Sequence, residues 1–487
     1  MRLRYILLNL LVVTSLQAQV NVSGDQYGTW GVEDSLYTVI GDITVPYSQF
    51  LTILPGVEVR FMGDYKITVL GGMTAWGTEE DSVIFHTYIP DGWMYIKYDE
   101  SWGDSTSLNY CRIQSGDRAV WAENCAVTLN HCNIVGNLSS PIKGNDATLH
   151  LNDCLITQNA GNGLLLDNCT AELVDCEITY CGGTYGRGIF AQGDGTTLNI
   201  QGGFIGHNLG SGIYGLQIGN SIIENVAIGE NGVHGIELNS SGELEAARVQ
   251  LFRNEGHGLF LVNTTLDGRN LTVSSNNDRG ISFTGPSNVM EVTSSIVDRN
   301  GSFGFYYQSG GAFILEYNDT YLNIGDAYSG CEAGTGSLED NPEYVDWFGM
   351  DYNLQETSPC IDAGRPADPL DPDATITDMG ALYFDQSPGY VPPGYTPEVV
   401  RDFHITGAYP NPFNPVLTIQ VEAVRHAQGS LEAWTPAGKL ADRIWKGELK
   451  PGQNLVTWHA GDLASGSYFI RLKSGSVIDV LPTVLLK

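Results

Sequence analysis

The stretch that decides the fold runs GRGIFAQG (186–193), GSGIYGLQ (210–217), VHGIELNS (233–240), GHGLFLVN (256–263) and DRGISFTG (278–285). Upstream, DRAVWAEN (117–124), SSPIKGND (139–146) and GNGLLLDN (161–168) fall in the same register, and SFGFYYQS (302–309) continues it downstream. The aligned anchor position is Ala119, Pro141, Gly163, Gly188, Gly212, Gly235, Gly258, Gly280 and Gly304, with steps of 22, 22, 25, 24, 23, 23, 22 and 24 residues. A near-constant period in this range marks a solenoid, in which each turn buries apolar side chains only against its neighbours. The unit lacks the fixed leucine pattern and helical half of a leucine-rich repeat, so it is a β-coil.

The residue after each anchor is apolar throughout: Val120, Ile142, Leu164, Ile189, Ile213, Ile236, Leu259, Ile281 and Phe305. Because side chains alternate along a strand, this position and the third after the anchor are expected to face inward. Four residues before most anchors stands an asparagine (Asn137, Asn159, Asn208, Asn231, Asn254, Asn300), with Asn277 three before its own anchor. Asparagine tolerates left-handed backbone geometry and its amide can bond to the amide one coil away, so this line reads as a turn ladder. At about 4.8 Å per coil, the eight steps make a rod of roughly 38 Å before its ends are added.

The cysteines follow the same period. Cys111, Cys132, Cys154 and Cys176 are 21, 22 and 22 residues apart, and Cys125 and Cys169 are 44 apart. Such spacing stacks each set on one internal line, where a thiol acts as a small apolar side chain. Cys331 and Cys360 fall outside the ladder and are the expected disulfide pair, if the exported chain has one.

With 56 acidic and 24 basic residues the formal charge is −32, a field that repels nucleic acid. The first 18 residues, MRLRYILLNLLVVTSLQA, carry Arg2 and Arg4 before a short apolar stretch and end on Ala18, the pattern of a signal peptide. The stretch is too short to span a bilayer, and no later segment is a candidate anchor for the mature chain.

With the opening segment LTILPGVEVRF (51–61) and AWGTEEDSVIFH (75–86), and the closing stretches NPEYVD (341–346), SPCIDAG (358–364) and DMGALYFD (378–385), the repeat resembles the right-handed parallel β-helix family that shares the pectate-lyase fold. The expected class is therefore all-β: a right-handed parallel β-helix over 19–390, a Pro- and Gly-rich linker at 391–402, and a small immunoglobulin-like β-sandwich over 403–487. In that last region YPNPFNP (409–415), SGSYFIRL (465–472) and the terminal VLLK (484–487) resemble the type A sorting domain of type IX secretion. The resemblance implies the type IX machinery as a partner and a secreted or outer-membrane-surface location in a Gram-negative-type bacterium. Pro482 and Thr483 stand where many relatives carry basic residues, and an ordinary accessory immunoglobulin-like module is the alternative reading.

Two lines of residues carry candidate chemistry. The second position after the anchor is expected to face outward and includes Trp121, Phe190, Tyr214, Phe260 and Tyr306, rings that can stack on sugars unless a loop or the segment after Asn318 covers them. Just before the anchors stand Arg187, His234, His257 and Arg279, candidates for the base and the cations that a polysaccharide lyase needs at a uronate. His257 lies in a Gly-His-Gly like that of polygalacturonases, but here it is one instance of the repeat, matching Gly161-Asn162-Gly163. The paired aspartates of that family and the clustered calcium aspartates of pectate lyases have no counterpart. Asp368, Asp371, Asp373 and Asp378 in DPLDPDATITDMG offer hard oxygen ligands for Ca²⁺, although Ala374 replaces the usual metal-loop glycine. The expectations are thus a surface module binding an extracellular polysaccharide or another surface, a polysaccharide lyase or hydrolase, or a structural spacer or adhesin. No complete acid–base constellation can be assembled from neighbouring coils.

Overall fold

The computed structural model describes residues 19–32, 36–89, 92–101, 106–183, 186–387, 403–411, 413–423, 427–435, 439–450, 452–461, 463–474 and 477–487. The expected signal peptide at 1–18 and the expected linker at 391–402 lie outside the described residues. The chain divides into two compact units, Met1–Pro388 and Gly389–Lys487.

The first unit is a right-handed parallel β-solenoid of about 13 turns. A representative coil has three strands, Ile189–Gln192, Thr197–Gln201 and Phe204–Gly206, each paired in parallel with its copy one coil away. The residues after the anchors stand in one register, Val120 to Ile142, Leu164, Ile189, Ile213, Ile236, Leu259, Ile281 and Phe305. All are buried, as are Ala122, Leu166, Ala191, Leu238 and Leu261 two residues on, so the alternation read from the sequence is the inside–outside alternation of the strand.

The asparagine ladder is present, with two corrections. Its member in the penultimate coil is Asn276, not Asn277: Asn254 Nδ2 donates to Asn276 Oδ1 at 2.9 Å and Asn276 Nδ2 to Asn300 Oδ1 at 3.0 Å. Asn277 is exposed and bonds Glu255 instead. Nor do the ladder asparagines take the left-handed conformation. That falls on the residue before each of them, Gly136 with φ 65° and Gln158, His207, Glu230, Arg253, Ser275 and Arg299 with φ between 50° and 58°. The left-handed residue turns the chain, and the asparagine after it aims its amide along the axis, where it bonds the backbone of one coil and the amide of the next.

Cys111, Cys132, Cys154 and Cys176 are buried at one register position, all as free thiols. Sγ of Cys132, Cys154 and Cys176 each lies 3.3–3.5 Å from a carbonyl of the preceding coil. Thiol–thiol bonding along this line, with burial, holds Cys154 and Cys176 well above the usual thiol range. The expected pair Cys331 and Cys360 is also not bonded. Cys331 packs on the terminal coils with Sγ toward Phe305 O, whereas Cys360 lies beneath the closing segment, 3.7 Å from Asp319 Oδ2. Each belongs to a different apolar cluster, which keeps the two thiols apart.

The closing segment, from Leu338 to Phe384, packs on the outer face of the sheet formed by the third strand of each coil. Tyr344, Tyr352, Leu354, Cys360 and Met379 join Phe252 and Ile296 in one apolar cluster. Polar contacts fix the register: Tyr344 donates its hydroxyl to buried Asp298, Asn270 donates to Asp378 O, and Ala381 N donates to Thr272. Burial pushes Asp298 up to about 6 and Asp319 to about 7.

The second unit is a small β-sandwich of antiparallel sheets. Strands Phe403–Tyr409, Val416–Ala423 and Gly452–His459 form one, and Ala427–Trp434, Leu440–Leu449, Gly466–Ser474 and Val477–Leu485 the other. They enclose Leu417, Ile419, Val421, Leu431, Trp458, Ile470 and Leu472. The motif at 409–415 is joined to the terminal strand: Phe413 is buried, its N–H bonds Val484 O, its carbonyl receives Leu486 N–H, and Asn411 Oδ1 receives Val484 N–H.

Candidate functional site

The solenoid repeat brings the ring line and the donor line onto one sheet face. A residue two places after the anchor points out of the strand, and the residue before the anchor lies beside it in the turn, so each coil contributes one of each. The closing segment lies on a different sheet and covers neither line. Trp121, Phe190, Tyr214, Phe260 and Tyr306 are nonetheless half-buried rather than bare, because side chains of both lines lie against them.

Three ring–cation groups result. Lys97 and Lys143, one coil to either side of Trp121, hold their ammonium groups 4.7 and 4.3 Å from its ring centre. The Arg187 guanidinium lies 4.3 Å from the Tyr214 ring and 5.3 Å from Phe190, with the two rings stacked at 5.4 Å. The Arg279 guanidinium lies 3.6 Å over Tyr306 and bonds the hydroxyl of buried Ser282. Cations attracted to ring faces in this way are held without a carboxylate. Among the described residues, Lys97 is also ion-paired with Asp99 and Glu123, whereas Lys143, Arg187 and Arg279 form no ion pair.

Between the two arginines stand the histidines. Their rings stack at 4.8 Å, 3° from parallel, and both pack against Phe260. His234 Nδ1 accepts the backbone N–H of His257 at 2.9 Å, and His257 Nδ1 accepts that of Arg279 at 3.2 Å. Each ring therefore keeps its one proton on Nε2. Burial pushes His234 down to about 4, with repulsion from His257 adding to it, and burial likewise lowers His257 against the pull of Asp278. Both shifts favour the neutral rings, which donate from Nε2 while Nδ1 is already engaged with a backbone N–H. Glu237, on the same face, receives the Ser211 hydroxyl at 3.1 Å, and burial raises its carboxyl despite that bond and the nearby Arg187.

The four aspartates of the closing loop do not converge, and among the described residues no three His, Cys, Asp or Glu side chains gather as metal ligands. Asp368 accepts from Ser294, Thr293 and Arg365; Asp371 from Arg248 and the N–H of Asp378. Asp378 caps the N–H groups of Asp362 and Phe384, and Asp373 those of Thr375 and Gln386. Each carboxylate is occupied in holding the loop to itself or to the solenoid.

The sequence reading missed Lys97 as a member of the face. Extending the register one coil back would have found it, since Ile96–Asp99 is an anchor strand that pairs residue for residue with Val120–Glu123.

The family described as right handed beta helix region matches residues 96–267 and 162–320. No curated protein matches the chain. Among solved structures, a mutant of the periplasmic alginate epimerase AlgG is similar at 12% identity and a TM-score of 0.42, over 57% of this chain and 77% of that one. Pectate lyase Pel9A is similar at 13% identity and 0.36, over 70% and 88%. The A-module of the Azotobacter vinelandii mannuronan C-5 epimerase AlgE6 is similar at 13% and 0.29, over 66% and 87%. By its strand topology and by the family match to residues 96–320, the first unit is a right-handed parallel β-helix.

Proposed function

We propose that the protein is an exported surface module that holds an acidic polysaccharide along the face bearing Trp121, Phe190, Tyr214, Phe260 and Tyr306, without cleaving it. The observation that carries this reading is the state of Lys143, Arg187 and Arg279. In a chain of net charge −32 they lie on aromatic rings of one face, and among the described residues none of them has a carboxylate within ion-pair distance. Cations so placed are free to meet carboxylate or sulfate groups repeating along a linear glycan, while the ring edges meet the sugar carbons. At about 4.8 Å per coil, Lys143, Arg187 and Arg279 stand two and four coils apart, roughly 10 and 19 Å, so they would meet acidic groups several sugar residues apart on a linear chain. The histidines support binding rather than elimination or epimerisation, because their Nδ1 lone pairs are taken and Nε2 is protonated. Those reactions need a base beside the proton next to the uronate carboxylate.

The test is a screen of the intact mature chain against acidic glycans, read by calorimetry alongside an ultraviolet assay for unsaturated uronates. Replacing both Tyr214 and Phe260 by Ala should weaken binding by roughly tenfold or more, since aromatic anchors commonly carry 1–2 kcal/mol each, while the melting temperature falls only slightly. An unchanged affinity places the glycan elsewhere, and release of unsaturated product would replace the binding reading with a lyase.

For export, the resemblance of 409–415, 465–472 and 484–487 to type A sorting domains supports delivery by type IX secretion. The zipped arrangement of Phe413 with Val484 and Leu486 ties the first and last of those stretches into one surface. Deleting residues 403–487 is expected to leave the β-helix folded, as each unit has its own core, and to stop arrival outside the outer membrane. Unchanged delivery of the truncated chain in fractionated native cells would return the domain to an accessory module.

A further inference from the structure

A second site lies away from the ring–cation face, where the closing segment meets the sheet of third strands. There a cavity of about 370 Å³ is lined by Arg299 from the solenoid and by Asn341, Glu343, Trp347, Gln355 and Thr357 from the closing segment. Its frame is an antiparallel hairpin, Tyr344–Asp346 with Asp351–Leu354, whose buried residues Tyr344, Tyr352 and Leu354 anchor it to the solenoid. The hairpin turn carries Trp347 and Phe348, 42% and 74% exposed. Exposing two large rings at a turn is costly unless something covers them.

The turn is held rather than loose. Arg253 of the solenoid donates to the carbonyls of both Trp347 and Phe348, and Gly349 N–H bonds Asp346 Oδ1 at 2.9 Å. The Asp346 carboxylate lies close over Gly349, where a Cβ would come within 2.5 Å of Oδ2. The Arg299 guanidinium sits 5.1 Å from the Trp347 ring and 5.8 Å from that of Tyr344.

The polar groups of the cavity are half satisfied in a specific way. Asn341 Oδ1 accepts from Arg299 at 3.2 Å, Gln355 Nε2 donates to Tyr344 O at 2.7 Å, and one Glu343 oxygen accepts from Thr357. These bonds fix the side chains. They leave Asn341 Nδ2 as a donor, and Gln355 Oε1 and the second Glu343 oxygen as acceptors, without a protein partner among the described residues. Donors and acceptors side by side suit vicinal hydroxyls, each of which gives and takes a hydrogen bond, and an indole at the rim suits the apolar face of a sugar ring. An anion is disfavoured, because Glu343 stands in the cavity and the Arg299 charge is already met by buried Asp298.

The geometry points to a pyranose-binding pocket at this hairpin, taking a neutral glycoside with a vicinal diol, its ring stacked on Trp347 and its hydroxyls shared between Asn341, Gln355 and Glu343. The inference is independent of the acidic-polysaccharide reading, since it uses another sheet and another chemistry. It gives the solenoid two carbohydrate contacts, one along its length and one at the hairpin.

Saturation-transfer NMR on the full mature chain tests it, with methyl glucoside, methyl galactoside and methyl mannoside as probes and sodium galacturonate beside them. At least one neutral glycoside should show transfer, and Trp347→Ala should weaken it by roughly tenfold, the scale of an aromatic anchor. Trp347 is substantially exposed, so the variant should melt near the parent. Asn341→Asp, which keeps the acceptor toward Arg299 but removes the free donor, should weaken it several-fold and guards against a trivial folding defect. Phe260→Ala, on the other face, should leave it unchanged. Absence of transfer to every neutral glycoside overturns the proposal, as does transfer to galacturonate alone. Transfer that survives Trp347→Ala but is lost in Phe260→Ala would also overturn it, by moving the sugar to the ring–cation face.

Discussion

Asn276→Ala should lower the stability of the β-helix by about 3–5 kcal/mol, whereas Asn277→Ala, one residue away, should change it by less than about 0.5 kcal/mol. The amide of Asn276 is buried and fully used. Its oxygen accepts from the N–H and the Nδ2 of Asn254, and its own Nδ2 donates to Leu251 O at 2.9 Å and to Asn300 Oδ1 at 3.0 Å. Alanine would strand polar groups in three successive coils, and buried groups left without a partner cost about 1–3 kcal/mol each. Water has no route in, since Asn254 and Asn300 are themselves fully buried. Asn277 is exposed, and its bond to Glu255 can be replaced by water. Urea unfolding of the two variants side by side is the check. Hydrogen exchange should show the loss of protection centred on the turns at 254, 276 and 300. Equal midpoints would mean that the ladder is not a structural spine.

Gly235→Ala, a change of one methyl group, should cost about 2–4 kcal/mol, while Gly31→Ala in the first coils should be close to neutral. Gly235 has ordinary negative φ, so the cost is one of space. A Cβ there would stand 2.5 Å from the carbonyl oxygen of Gly258, the next anchor, and 2.9 Å from Leu251 Cδ2. That carbonyl already accepts the N–H of Ile236 at 3.0 Å, so the methyl group can be seated only by parting the ladder between two coils. The same contact to the following carbonyl recurs at Gly163, Gly188, Gly212, Gly258, Gly280 and Gly304. At Ala119, which carries a Cβ, the coil is joined differently: the N–H groups of both Ala119 and Val120 bond the one carbonyl of Pro141. At Gly31 the nearest atom to a Cβ is 3.8 Å away. Thermal melting decides the matter, and a Gly235→Ala protein that melts with the parent would show that the coils can separate there at little cost.

How much of the site could be read beforehand differs from line to line. The rings at 121, 190, 214, 260 and 306 were placed on the correct side of the strand by parity alone. Their half-burial was not visible, because it depends on Lys97, Lys143, Arg187, Arg279 and the two histidines lying against the rings. The histidines were found as members of a turn line. What disqualifies them as bases is a pair of backbone N–H bonds to Nδ1 that only the stacking of successive turns creates. The acidic loop read as a calcium ligand set because four aspartates were close in sequence, yet the folded loop sends each to a different partner.

By itself the sequence determined the solenoid, the register of its coils, the inward thiol line and the division into a β-helix and a β-sandwich. Those features are periodic, and a period of 22 to 25 residues forces like positions to stack whatever the details of the turns. Only the tertiary structure decided which asparagine enters the ladder, that Cys331 and Cys360 stay apart, and that the closing segment covers the sheet of third strands rather than the ring–cation face. It also brought Arg299 to the hairpin at Trp347, 48 residues further along the chain. These are aperiodic contacts between segments far apart in sequence, fixed by how side chains of particular length and charge meet once the rod exists.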